Sequence, residues 1–100
     1  MMDLTPHRSS LAAFAERWQI REVALFGSAL REDFGPESDA DLLATFSPGE
    51  TWSLLDLARM QIELEDMVGR AVDLVEVRAL RNPVRRRLIL DSSETVYAAA

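Results

Sequence analysis

With 100 residues, 48% of them apolar, the chain has material for one hydrophobic core and too little for two, so one domain without a separate substrate-binding domain is expected. It contains no cysteine, which removes disulfides and thiolate metal sites, and His7 is the one histidine, so any bound metal must be held by oxygen, as Mg²⁺ or Mn²⁺ would be. A formal net charge of −6, from 17 acidic and 11 basic residues, argues against non-specific nucleic-acid binding, and no apolar run approaches the ~20 residues needed to cross a bilayer.

The first ten residues are polar and carry no secretory core, which makes a cytoplasmic protein the plain expectation. Leu11, Phe14, Ala15 and Trp18 recur at helical spacing behind Ser9 and Ser10, either of which could cap, and predict an amphipathic helix over residues 10–19. Residues 23–26 form a short apolar run ending at Gly27, the pattern of a buried strand followed by a sharp turn. Residues 28–38 are polar and contain Gly35-Pro36, which predicts turn and loop after at most one helical turn.

Residues 40–46 predict a second strand, broken by Ser47-Pro48-Gly49. Leu54, Leu57, Ala58, Gln61, Ile62, Leu64, Glu65 and Val68 give a long central helix, with Gly69 as its natural end. Residues 71–77 are valine-rich and predict a third strand. Asn82-Pro83 is a strong helix start running to about residue 90, and residues 95–97 form either a short edge strand or a tail. The order predicts an α/β (α+β) unit: a small mixed sheet with helices packed on one side.

Three features converge on chemistry. Gly27-Ser28 follows the first strand; Asp39-Ala40-Asp41 enters the second after a gap of ten residues; Asp73 lies within the third. Side chains alternate across a strand, so Asp39 and Asp41 are expected on one face, where their mutual repulsion favours a bridging cation or good solvent screening. Asp73, between apolar neighbours, needs a partner as well, and would complete a three-carboxylate cluster if its strand lies beside the second. Such a cluster suits two-metal phosphoryl or nucleotidyl transfer, with metal ions neutralising a triphosphate and Asp73 also able to act as base toward an acceptor hydroxyl. Gly27 lets the backbone approach closely, the Ser28 amide and hydroxyl can cradle a phosphate, and Arg31 is placed to add a guanidinium. Taken singly, an Asp-x-Asp pair marks a solvated edge, a Gly-Ser pair a turn, and a strand aspartate a guard against aggregation.

Gly27-Ser28, the ten-residue gap and Asp39-Ala40-Asp41 resemble the signature of the DNA polymerase beta-like nucleotidyltransferase superfamily. Within it, the segment over residues 23–77 and the end of the chain from Asn82-Pro83 resemble the minimal nucleotidyltransferases. The resemblance implies a polymerase beta palm-like fold. It implies Asp39, Asp41 and Asp73 as metal-binding catalytic residues, with Gly27 and Ser28 binding the triphosphate; Arg31 and Ser38 join them as candidates from their place in the loop. It further implies two Mg²⁺ ions, or Mn²⁺, with ATP as substrate, and a helical HEPN-type ribonuclease toxin as partner, neutralised by AMP transfer to a tyrosine. One departure is visible: Arg31 is followed by Glu32 and Asp33 where the family often has Arg-Gly, setting two further carboxylates near the triphosphate loop.

Among the remaining residues, Ser38 more plausibly holds its loop than attacks anything, and His7 reads as a bystander. Arg85, Arg86 and Arg87 spread around their helix and read first as a solvated surface, second as a dock for an acidic partner. Trp18 is expected in the core, and Trp52 is a candidate interface residue. The alternatives to AMP transfer are a module that neutralises its partner by contact alone, or a small-molecule nucleotidyltransferase of the aminoglycoside type. A partner or a homodimer is expected to complete the acceptor side.

Overall fold

The computed structural model describes residues 2–33, 35, 38–49 and 51–99, so the expected Gly35-Pro36 turn falls partly outside the described residues. A 3-10 turn over Thr5–His7, started by Pro6, leads directly into helix α1 (Arg8–Arg17). That entry moves the helix two residues ahead of its expected start: Ser9 and Ser10 lie inside it, and the cap position is His7, whose side chain makes no capping bond. Gln19, with φ 57°, supplies the left-handed step that turns the chain into strand β1 (Ile20–Leu25).

A second 3-10 turn, Gly27–Leu30, is followed by strand β2 (Ala40–Phe46), helix α2 (Leu54–Val68) and strand β3 (Val72–Glu76). The Ser53 side chain accepts from the Asp56 amide while the Asp56 carboxylate accepts from Ser53, a reciprocal cap that fixes where α2 begins. A third 3-10 turn, Val77–Ala79, leads to helix α3 (Pro83–Ser92), where Asn82 caps the amides of Val84 and Arg85 as its sequence predicts. Strand β4 (Glu94–Ala98) closes the order.

The four strands form one mixed sheet in the order β3-β2-β1-β4. β1 pairs antiparallel with both β2 and β4, so the C-terminal segment is an edge strand and not a tail. β2 and β3 are parallel, and α2 supplies the crossover that parallel neighbours require. α1 and α2 cover one face, where Phe14, Leu25, Leu42, Met60 and Leu64 are almost wholly shielded from water. α3 refines the expected one-sided packing: its Ile89 joins Ala24, Leu43, Val77, Phe26, Val75 and Leu80 in a smaller cluster that includes the alternate residues of β1, β2 and β3. The outer edge of β3 does not stand open, because Glu65 and Gln61 of α2 accept from the amides of Val72 and Leu74 at 3.0 and 3.2 Å. Among the described residues no helix is long and apolar enough to cross a membrane.

Phe14 is 0% exposed at the centre of the main cluster. Phe14→Ala is therefore expected to cost about 3–5 kcal/mol, read as a lower denaturant midpoint at unchanged slope.

Candidate active site

The parallel pairing of β2 and β3 decides where the carboxylates stand. Ala40 lies opposite Val72, Asp41 opposite Asp73, and Leu42 opposite Leu74. With a period of two, Asp41 shares its face with Leu43, and Asp73 shares its face with Val75. Both apolar residues belong to the smaller cluster, so Asp41 and Asp73 stand side by side on the face opposite α1 and α2. Asp73 is exposed and Asp41 half-buried; Asp39, just ahead of β2, is exposed.

β1 brings the Gly27-Ser28 corner to the same place. Leu25, at its end, pairs with Leu42, and the chain then folds back over Asp41. The Ser28 amide donates to Asp41 Oδ2 at 2.9 Å and its hydroxyl lies 2.7 Å from the same oxygen. The hydroxyl is also 2.8 Å from the Asp39 carbonyl, and its single proton serves one acceptor at a time. Gly27 has φ 54°, and a Cβ on it would sit 2.7 Å from Asp41 Oδ2, so both the backbone and the space demand glycine.

The side chains do not yet converge. Among the described residues no three Asp, Glu, His or Cys groups are gathered closely enough to hold a metal ion. The expected three-carboxylate cluster is thus present as a juxtaposition on the sheet and not as a formed cage, because Asp41 is turned back onto Ser28. The donor set nevertheless suits a hard divalent cation: all oxygen, two carboxylates in direct register, and a third two residues before Asp41, just ahead of β2.

The supporting residues are arranged differently from one another. Arg31 pairs side-on with Asp33, at 2.9 Å through both Nε and Nη2, with both side chains more than half exposed. That pairing gives one of the two extra acids of the loop a partner, and both Glu32 and Asp33 face solvent. Ser38 holds its loop: its hydroxyl accepts from the Gly35 amide at 3.1 Å and its own amide donates to the Gly35 carbonyl. Trp52 packs edge-on against Trp18, 5.3 Å between ring centroids, and against Phe46, so it belongs to the rim of the core and not to an exposed interface.

Two contributors are not evident in the sequence. Arg70 donates through Nη1 to the carbonyls of Gly35 at 2.7 Å and Ser38 at 3.3 Å, clamping the segment that delivers Asp39. The N-terminal residues Met2 and Leu4 are buried, and the Met2 amide donates to the Ala29 carbonyl at 2.8 Å, bracing the turn that carries Ser28. Between them, Asp3 accepts from Thr5, whose side chain and amide hold its carboxyl below the usual carboxylate range. A cleft of about 310 Å³ opens beside this segment, lined by residues including Asp3, Arg8, Leu25 and Thr95. Asp39, Asp41 and Asp73 are not in its lining; Asp39 and Asp73 are exposed and Asp41 is half-buried outside it.

A mixed sheet that sets Gly-Ser at the end of one strand against aspartates on the next two is the arrangement of a nucleotidyltransferase. The chain belongs to the nucleotidyltransferase domain family, whose family model matches residues 8–96, and it is an enzyme of the minimal nucleotidyltransferase kind. It is 34% identical over 94 residues to protein adenylyltransferase MntA of Thermococcus cleftensis, covering 94% of this chain and 87% of that one. A solved structure assigned as a minimal nucleotidyltransferase is 35% identical, with 96% of each chain covered and a TM-score of 0.73. The fold also matches, at 14% identity and a TM-score of 0.67, a chain of the complex between a tri-AMPylated Shewanella oneidensis HEPN toxin and an MNT antitoxin, over 97% of this chain and 74% of that one.

Gly27 and Gly49 both have positive φ, but a Cβ on Gly49 would meet nothing within 4 Å. Gly49→Ala should show only the left-handed backbone cost of about 1–2 kcal/mol, and Gly27→Ala should exceed it because of the collision with Asp41; urea midpoints of the two variants test the difference. Arg70→Ala is expected to leave circular dichroism unchanged and to lower the melting temperature by about 4–8 °C, for a loss of about 1 kcal/mol of hydrogen bonding in a domain of this size.

Proposed function

We propose that this chain moves AMP from ATP onto an acceptor hydroxyl, a tyrosine of a HEPN-type ribonuclease toxin, and acts in the cytoplasm as the antitoxin of that pair. The observation that carries the reading is the register of Asp41 against Asp73 beneath the Gly27-Ser28 corner. Two further facts support it: the relative named protein adenylyltransferase MntA, and the like-folded chain from a complex whose HEPN toxin carries AMP. Residues 1–100 are read as a single catalytic domain.

In this scheme Asp39, Asp41 and Asp73 hold Mg²⁺, two ions or Mn²⁺ in their place, which supplies charge neutralisation for the triphosphate. The Ser28 amide and hydroxyl, now donated to Asp41, are the donors for a phosphate oxygen, so Asp41 has to turn away from the corner for the nucleotide to be seated. Arg31 can leave Asp33 at small cost, because a solvent-exposed ion pair contributes only about 0–1 kcal/mol. Ser38 and Arg70 keep the loop that delivers Asp39 in place. Asp73 accepts the proton of the acceptor hydroxyl; the oxygen bonds to the α-phosphorus, the bridging α–β phosphorus–oxygen bond breaks, and pyrophosphate leaves with the electron pair.

A second reading is antitoxin action by contact alone, favoured by the ungathered carboxylates. Calorimetric titration with ATP and the other nucleoside triphosphates, with Mg²⁺ and then with EDTA, separates the two. The transfer reading expects Mg²⁺-dependent binding that an Asp39→Asn, Asp41→Asn double variant loses, together with label from α-³²P-ATP on a partner tyrosine. Neutralisation of the toxin that survives this variant overturns transfer and leaves contact alone.

A further inference from the structure

Helix α3 is ten residues long and buries none of them fully; Ile89 is its tie to the smaller cluster. A helix of that length is marginal in water on its own propensity and depends on tertiary packing of an apolar face. Here the apolar residues point outward instead: Val84 is 69% exposed and Leu88, four residues on and in the same row, 66%. With Pro83, Arg87 and Asp91 they line a shallow groove of about 390 Å³.

Charge marks what the groove fits. In a chain of net charge −6, Arg81, Arg85, Arg86 and Arg87 all collect at this helix. Arg87 meets Asp91 at 3.8 Å, while among the described residues Arg81, Arg85 and Arg86 make no ion pair. Position adds a third observation. Ile89 packs on the cluster that includes Leu43 and Val75, each two residues beyond Asp41 and Asp73 on the same face. Ile89 therefore ties α3 to the face of the sheet that carries Asp41 and Asp73.

We propose that α3 is the docking element for the acceptor protein, which supplies an amphipathic helix whose apolar stripe covers Val84 and Leu88 and whose flanking carboxylates meet the α3 arginines. The identity of the partner as the HEPN-type toxin rests on the function proposed above; the surface itself does not. A second copy of this chain fits the groove poorly. Two α3 helices face to face would oppose Arg85 and Arg87, which flank the Val84–Leu88 row, with themselves. Seating the exposed Leu55 and Ile62 of α2 on α3 joins opposite faces of the sheet, a head-to-tail contact that does not close as a dimer.

The test uses the full chain and a purified HEPN-type toxin, with affinity read by calorimetry, assembly by sedimentation, and AMP incorporation by α-³²P-ATP. Val84→Asp, Leu88→Asp and, separately, Arg85→Glu, Arg87→Glu are each expected to raise the partner Kd at least tenfold. Circular dichroism and Mg²⁺-ATP affinity should stay within twofold of the parent, and AMP transfer should return as partner concentration is raised. Partner affinity unchanged in both variants, while Asp39→Asn, Asp41→Asn abolishes transfer, overturns the docking proposal and leaves the transfer reading standing. Loss of binding in both α3 variants, with no transfer by the parent chain, supports the dock and overturns transfer. A parent chain that does not bind the partner refutes the dock, as does one that sediments as a dimer and becomes monomeric in Val84→Asp, Leu88→Asp.

Discussion

Two aspartates on adjacent parallel strands, opposite each other in register, place like charges within one strand spacing, about 4.8 Å at the backbone. Even in water, unit charges at such a distance repel by about 1 kcal/mol, and by several times that at the lower effective dielectric of a half-buried site. The surrounding structure accommodates the pair in two different ways. Asp73 is left in solvent, and Asp41 is stabilised by two donors of a single residue, the amide and hydroxyl of Ser28. Both donors reach it because Gly27 has no side chain to keep the corner away. Asp41 thus also holds the Gly27-Ser28 corner, whereas Asp73, exposed beside it, has no such bond to the corner.

The remaining contacts hold this corner from three sides. Arg70, at the step from α2 into β3, ties down the carbonyls of Gly35 and Ser38 ahead of Asp39. Glu65 and Gln61 of α2 fix the outer edge of β3 by accepting from Val72 and Leu74, the residues on either side of Asp73. Met2 and Leu4 brace the turn that carries Ser28. Each of these residues acts on a carboxylate or its donor through one intervening backbone segment, which makes them positioning residues and not reacting ones.

Much of the site was legible because its parts are local. Gly27-Ser28 and Asp39-Ala40-Asp41 are short contiguous motifs beside strands, and Asp73 stands out as a charge inside a valine-rich run. Asn82-Pro83 and Gly69 mark helix ends by their backbone chemistry alone. The Ser53-to-Asp56 cap is written just as locally, as a serine followed three residues later by an acid. Arg70 and Met2 were illegible for another reason: their partners lie 35 and 27 residues away, and no periodicity encodes a contact made only after the sheet is assembled. Trp52 misled because it sits ahead of the α2 repeat. Its packing against Trp18 and Phe46 comes from the return of the chain over β2, not from a helical face.

The openness of the carboxylate face follows from the same economy. With α1 and α2 both committed to one side of a four-stranded sheet, the opposite side receives, among the described residues, Ile89 of α3 and the residues of the short turns. Electrostatic catalysis gains most when water is excluded, since fixed donors and charges act far more strongly at low dielectric. A chain that leaves its candidate carboxylate site wet gives up that gain until something covers it. If the cover is the acceptor protein itself, docking along α3 and completion of the site become one event. The Asp41–Ser28 contact then serves the uncovered state, keeping a half-buried carboxylate satisfied until the nucleotide claims its donors.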